Sequence, residues 1–112
     1  MLQLMTLADL EALIASSGEQ PVLVFKHSTS CPVSARAHRE WEAFQATPAA
    51  GKVKLAWVRV IQERPVSLAL AQKVGVQHES PQALLIKNGQ VLWHASHRGI
   101  TAASLTEAVS TL

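Results

Sequence analysis

The chain alternates between segments with a helical period of apolar residues and short apolar runs that are typical of buried strands. The helical segments carry one apolar stripe each and span residues 7–14, 33–44, 66–74 and 105–112. The strand-like runs span residues 22–25, 53–61, 83–86 and 91–93. Together these segments predict the element order α-β-α-β-α-β-β-α.

Residues that favour helix ends and turns fall between these segments. Thr6 and Thr101 can cap the first and last helices, and Pro32 and Pro65 stand at first-turn positions, where proline is tolerated. Asn88-Gly89 lies between two apolar runs and predicts a hairpin, because a type I′ turn needs positive φ at both central residues. The last two strands should therefore be antiparallel, and the helix between the first two strands should make those parallel.

This order predicts an α/β fold with a small mixed four-stranded sheet flanked by helices on both faces. Thioredoxin-like folds have this pattern, although a fold does not by itself fix a function. A chain of 112 residues has the size of one domain, so we expect a single thioredoxin-like domain over residues 1–112.

Composition and charge narrow the class of protein. Apolar residues make up 48% and charged residues 16%, which excludes a disordered chain. The net charge of +2 comes from scattered basic residues, so nucleic acid is not expected as a partner. No apolar run approaches the roughly 20 residues of a membrane span, so a membrane is not expected either. The N-terminal apolar stretch contains Asp9 and Glu11 and no basic residue, unlike a signal peptide. With a single cysteine, the chain is expected in a reducing cytoplasm.

Cys31 is the position whose setting points to chemistry. It follows a buried strand and a polar loop and stands at the start of a helix. Free N–H groups and the positive end of the helix dipole stabilise a thiolate, which is the reactive form of cysteine. A buried structural cysteine is the alternative, but a helix start after a polar loop is a poor place to bury a thiol.

Ser34 occupies the place of the second cysteine in a Cys-x-x-Cys redox pair, or it simply satisfies backbone groups in the first helical turn. Without a second thiol, Cys31 can attack a disulfide but needs an outside thiol for its release. Ser80-Pro81 precedes a strand and should face the cysteine loop. A cis bond there would present Ser80 backbone groups to a docking peptide or thiol, although trans is the default for X–Pro bonds.

The remaining candidate residues favour structural roles. The five histidines, His27, His38, His78, His94 and His97, lie on separate elements with only one cysteine, so no metal site is expected. His38 is expected on an exposed helix face. The tryptophans Trp41, Trp57 and Trp93 fall on apolar periodicities and are expected in the core.

Two segments resemble the monothiol bacilliredoxin family of thioredoxin-fold proteins. They are residues 26–34, Lys-His-Ser-Thr-Ser-Cys-Pro-Val-Ser, and residues 78–82, His-Glu-Ser-Pro-Gln. The resemblance continues through residues 62–67 and 93–97 and so covers nearly the whole chain. It implies a cytoplasmic bacterial protein that acts on mixed disulfides between bacillithiol and protein thiols. It also implies that Cys31 is the nucleophile and Pro81 a cis-proline opposite it.

The residues and the resemblance together predict a monothiol exchange protein. Cys31 would take bacillithiol from a protein mixed disulfide and pass it to a second small thiol or to a partner. Bacillithiol then acts as co-substrate, and no bound cofactor is expected. Its malate carboxylates and sugar call for hydrogen-bond donors and positive charge nearby. The candidate substrate-binding residues are Pro32, Ser34, Ser80, Pro81, Lys26 and His97, with Arg98 as a further basic side chain.

Three alternatives to this catalytic function remain open on the sequence. The domain could bind extended segments at Cys31 without turnover, or share an iron–sulfur cluster between two subunits as Cys-x-x-Ser glutaredoxins can. It could also be a thiol sensor whose cysteine is capped under oxidative stress. The expected partners are bacillithiolated proteins and a low-molecular-weight thiol, and the expected oligomeric state is a monomer.

Overall fold

A five-stranded sheet with strand order β1-β3-β2-β4-β5 forms the centre of the protein in a computed structural model that describes residues 1–112. The strands are β1 (Leu2–Gln3), β2 (Val22–His27), β3 (Lys54–Arg59), β4 (Gln82–Lys87) and β5 (Gln90–Ser96). The helices are α1 (Leu7–Ser16), α2 (Pro32–Gln45), α3 (Arg64–Val74) and α4 (Ala102–Ser110). Short 3₁₀ turns cover Pro48–Lys52 and His97–Gly99. None of the helices is long and apolar enough to cross a bilayer.

The strand directions confirm the predicted mixed sheet. β2 and β3 run parallel, and β4 runs antiparallel to both β2 and β5. Asn88 and Gly89 have φ values of 53° and 73°, so the predicted hairpin turn between β4 and β5 is confirmed. Ser17 holds this turn from the end of α1, because its carbonyl and its Oγ accept the N–H groups of Asn88 and Gly89 at 3.0 and 2.9 Å.

The prediction of four strands was wrong by one edge strand. β1 pairs in parallel with β3, with Leu2 opposite Ala56, and the Leu4 N–H extends the ladder to the Trp57 carbonyl at 2.8 Å. Two residues are too few for an alternating pattern to be visible in the sequence. Their strand conformation depends on a partner more than fifty residues away in the chain.

The sheet separates two apolar cores, which explains why β2 is apolar at consecutive positions. Leu23 and Phe25 face the core beneath α2 and α4, where Trp41 is completely buried. Val22 and Val24 face the second core, beneath α1 and α3. Lys26 is the next residue on this second face, and its side chain is also completely buried.

The predicted helix ends are confirmed where a capping threonine, a proline or a glycine defines them. Thr6 and Thr101 each close a capping box, and Pro32 is the first residue of α2. Gly75 ends α3 in the left-handed region with φ 70°.

The core prediction for the tryptophans was correct in full for Trp41 alone. Trp57 and Trp93 are half-buried and pack against the margin of the core beneath α2 and α4.

Candidate active site

Cys31 lies where the sequence places it, four residues beyond β2 and immediately before α2. It is the N-cap residue of that helix, has extended backbone angles and is partly exposed. Its thiol makes no capping hydrogen bond. The residue is therefore open to solvent in part, and its thiol is not held by the helix that it precedes.

The first turn of α2 presents unpaired donors and no negative charge to this cysteine. Pro32 is exposed and has no N–H, and the Ala35 N–H is the first to bond within the helix, to the Cys31 carbonyl at 3.0 Å. The N–H groups of Val33 and Ser34 make no backbone hydrogen bond, and the first turn contains no acidic residue. Such a helix terminus favours an anion next to it.

Ser34 is completely buried and is fixed by two hydrogen bonds. Its Oγ accepts the Ser28 N–H at 2.9 Å and lies 2.8 Å from Nδ1 of His27. Since Oγ accepts from Ser28, its own proton can point to a neutral His27 that carries its proton on Nε2. Ser34 thus ties the end of β2 and the cysteine loop to the first turn of α2, so both interpretations of this residue from the sequence apply.

We predict that Ser34→Ala lowers the free energy of unfolding by about 1–3 kcal/mol, because it leaves the Ser28 N–H buried without a partner. Urea denaturation of the variant and of the natural chain measures this difference. Ser110→Ala is the matched control, since Ser110 is exposed and bonds only within its own helix, at Glu107. Equal loss in both variants would contradict the structural role of Ser34.

An aromatic stack connects the cysteine loop with the core. The His27 ring lies 5.5 Å from Phe25 and 4.8 Å from His38, and Phe25 stacks on Trp41 at 5.3 Å, all between ring centroids. The expectation of an exposed His38 holds in part: its side chain is 37% exposed, its ring stacks on His27, and Nδ1 lies 3.1 Å from the Glu42 carboxylate. Burial, and to a lesser degree His38, lowers the pKa of His27. His27 is thus held as a neutral hydrogen-bond partner.

The lowered pKa values of two histidines predict a loss of stability in mild acid. Burial also lowers the pKa of His78, with smaller contributions from Lys26 and Arg64. Below the ordinary histidine pKa of 6.5 the unfolded chain takes up protons that folded His27 and His78 resist, so stability falls with falling pH. Thermal unfolding at pH 7 and pH 5 measures the fall. It should be shallower in His27→Gln, and an equal slope in that variant would contradict this assignment.

The segment before β4 reaches the same edge of the sheet as the cysteine loop. The register pairs Lys26 with Gln82, so Pro81 lies beside the end of β2. The Ser80–Pro81 bond is cis, as the family resemblance implies, and Pro81 is buried. Its carbonyl accepts the His97 N–H at 3.0 Å, which joins this segment to the turn after β5.

The other candidate residues near Pro81 differ in their exposure and in their contacts. His97 is exposed at this edge with φ 53°, and Nε2 lies 3.9 Å from the Glu79 carboxylate, so its side chain has an acidic neighbour. Arg98 follows it and is exposed. Ser80 is half-buried, and its Oγ is buried without a hydrogen-bond partner.

The expectation that Lys26 contacts substrate directly is not supported by its position. Its side chain is 0% exposed and points beneath the segment that carries Pro81, where Nζ lies 3.1 Å from Nδ1 of His78. Burial lowers the pKa of Lys26 to about 8, partly opposed by the carboxylate of Glu79. The amine is therefore mostly protonated at neutral pH but is withdrawn from the surface.

Sequence reasoning missed the polar group around Lys26. Ser67, completely buried on α3, lies 3.3 Å from the same nitrogen of His78, and Gln82 is 2% exposed. The only sequence signal was a lysine that continues the apolar face of β2. No three His, Cys, Asp or Glu side chains are arranged so that they could hold a metal ion.

Fold and site together define a thioredoxin-fold protein with a single cysteine at the start of α2. The chain matches a solved structure described as an inferred oxidoreductase with a thioredoxin fold at 34% identity and a TM-score of 0.82, over 96% of this chain and 91% of that one. Thioredoxins from Fasciola hepatica and Malassezia sympodialis match at 22% and 21% identity, both with a TM-score of 0.76. Each match covers 99% of this chain, with 98% of the Fasciola and 90% of the Malassezia thioredoxin. These two matches show the fold.

The family follows from a second comparison. Residues 2–105 match the family model described as monothiol bacilliredoxin BrxC. The chain belongs to the monothiol bacilliredoxin family, as its cysteine motif and its Ser-Pro segment indicate. Its function is in thiol redox chemistry.

Proposed function

We propose that this protein removes bacillithiol from protein mixed disulfides and that Cys31 carries the bacillithiol between two exchange steps. The observation that carries the proposal is the pairing of a partly exposed Cys31 with a completely buried Ser34, one helical turn later. An accessible thiol without an internal resolving thiol can accept a small thiol and hold it.

The first step exchanges one disulfide for another. The Cys31 thiolate attacks the bacillithiol sulfur of the mixed disulfide, the bond between that sulfur and the protein sulfur breaks, and the protein leaves as a thiolate that takes up a proton. The second step returns Cys31 to the thiolate when another low-molecular-weight thiol attacks the bacillithiol sulfur and forms a small disulfide. Each step consumes and forms one disulfide, so no outside oxidant is needed.

The surroundings of Cys31 suit an acidic small thiol. Bacillithiol has malate carboxylates, and the N–H groups of Val33 and Ser34 are the unpaired backbone donors of the α2 terminus. Arg98 is exposed beyond β5, at the edge that Pro81 shares. We propose these groups as the carboxylate and backbone contacts, with bacillithiolated proteins as partners of a cytoplasmic monomer that has no bound cofactor.

The test is intact-mass spectrometry of the reduced protein after mixing with a bacillithiol-capped protein. The expected result is transfer of one bacillithiol to the natural chain, faster than glutathione transfer from the same protein capped with glutathione. Cys31→Ser is the control and should carry no adduct while its circular dichroism stays that of the natural chain.

Three results would overturn the proposal. Equal rates with both thiols would remove the assignment of bacillithiol and leave a general thiol exchanger. Absence of any adduct on Cys31 would favour a binding domain without turnover, and visible absorbance in the freshly purified protein would favour a cluster carrier.

A further inference from the structure

A lysine lies inside the protein next to the segment that carries Pro81. The Lys26 side chain is completely buried and has no carboxylate within 4.0 Å of its amine, although the charge of Glu79 acts on it from farther away. Burial of an ammonium group without a close ion-pair partner is costly, so Lys26 is a candidate for a role other than stability. The contacts of Lys26 indicate this role.

The segment from Val76 to Pro81 has almost no backbone hydrogen bonds of its own. It forms neither helix nor strand, and its single backbone bond is the one from the His97 N–H to the Pro81 carbonyl. An irregular segment of this kind depends on side chains to fix its path.

Side chains from the interior hold this segment at two points. His78 Nδ1 lies 3.1 Å from Lys26 Nζ and 3.3 Å from Ser67 Oγ, and Gln82 Nε2 donates to the Gln77 carbonyl at 3.1 Å. Lys26 and Gln82 are direct partners across β2 and β4. The lysine therefore connects the strand that leads to Cys31 with the segment that leads to Pro81.

We propose that Lys26 is a positioning residue for thiol exchange, which holds His78 and, through it, places the backbone around Pro81 against Cys31. This inference rests on the proposed function, in which the mixed disulfide docks between these two segments. Lys26 itself touches neither substrate nor the reacting sulfurs, since its Nζ is enclosed beneath the segment.

The kinetic test compares variants in the rate of bacillithiol transfer to Cys31. Lys26→Met and His78→Leu each remove one side of the contact, and each should slow transfer about 10- to 100-fold. The double variant should be no slower than either single variant, because both changes break the same contact. His78→Asn should keep most of the rate, since its amide oxygen can accept from Nζ.

The second measurement is the pH profile of Cys31 alkylation by iodoacetamide. A positioning role leaves this profile unchanged in Lys26→Met, because alkylation does not need the Pro81 segment. If Lys26→Met raises the pH midpoint of alkylation enough to account for the slower transfer, the lysine charge acts on the thiol directly. That result would overturn the inference. Transfer at the natural rate in Lys26→Met, or multiplied losses in the double variant, would also overturn it.

Backbone amide NMR keeps this test separate from the proposed function. In Lys26→Met the signals of Gln77, His78, Glu79 and His97 should move, whether or not the natural chain accepts bacillithiol. Unmoved signals would contradict the inference while the proposed exchange activity stands. Absent transfer in the natural chain, with moved signals in the variant, would contradict the proposed function alone.

Discussion

Ser34→Cys is expected to shorten the lifetime of the bacillithiol adduct on Cys31 by about 100-fold or more. Ser34 lies three residues after Cys31 in the first turn of α2, so the introduced thiol is always close to the adduct. Intramolecular attack benefits from a high effective concentration that no free thiol in solution reaches. The introduced thiol should release bacillithiol and leave an internal disulfide.

The measurement is intact mass against time after a single loading with bacillithiol. The natural chain should keep the adduct until an outside thiol is added, whereas the variant should pass to a species two mass units below the reduced protein. Ser34→Ala is the matched control, because it loses the hydrogen bonds to Ser28 and His27 but gains no thiol. An adduct that persists equally in both variants would show that the two sulfurs cannot meet, and would contradict this view of Ser34.

The sequence predicted those parts of the fold that depend on neighbouring residues. The Asn88-Gly89 turn and the capping boxes at Thr6 and Thr101 are set by backbone geometry within a few positions. The setting of Cys31 at the start of α2 was predictable for the same reason, since Pro32 is compatible with the first helical position.

The parts that were missed depend on contacts between distant residues. β1 exists because Leu2 lies opposite Ala56, and Lys26 is buried because His78, 52 residues later, supplies a nitrogen at its end. The partial burial of His38 was missed because its ring packs on His27, eleven positions earlier on another element. No local pattern encodes these partners, and only the register of β2 with its neighbours brings them together.

Both halves of the site therefore depend on β2. Its end leads to Cys31 and is tied to α2 through the contact of His27 with Ser34. Its inner face carries Lys26, which is tied to the Pro81 segment through His78. Because one central strand carries both, the placement of the thiol relative to the Pro81 backbone depends on both contacts. Of the two, the contact of the buried Lys26 is the one that we expect to cost stability. The clearest sign of such an arrangement would be a variant that is more stable and less active.

Lys26→Met is expected to raise the free energy of unfolding at pH 7 by about 1–3 kcal/mol. A pKa that falls from 10.5 to about 8 on folding means that the ammonium is less stable inside the protein than in the unfolded chain. The difference corresponds to about 3 kcal/mol, at 1.36 kcal/mol for each pKa unit. Methionine has a similar length and no charge, and replacing a buried charge by an apolar side chain is often stabilising. The lost contact with His78 reduces the gain, although Ser67 still reaches that ring.

Denaturation in urea as a function of pH identifies the lysine as the cause. Between pH 8 and 10.5 the unfolded chain keeps the Lys26 proton that the folded chain releases, so the natural chain gains stability as pH rises through this window. Lys26→Met should lack this gain, and the two stability curves should converge towards pH 10.5. Lys87→Met is the control, because Lys87 is exposed at the end of β4, and it should change stability by less than about 0.5 kcal/mol. A Lys26→Met variant less stable than the natural chain at pH 7 would show that the buried amine serves the fold, and slower exchange would then follow from lost structure.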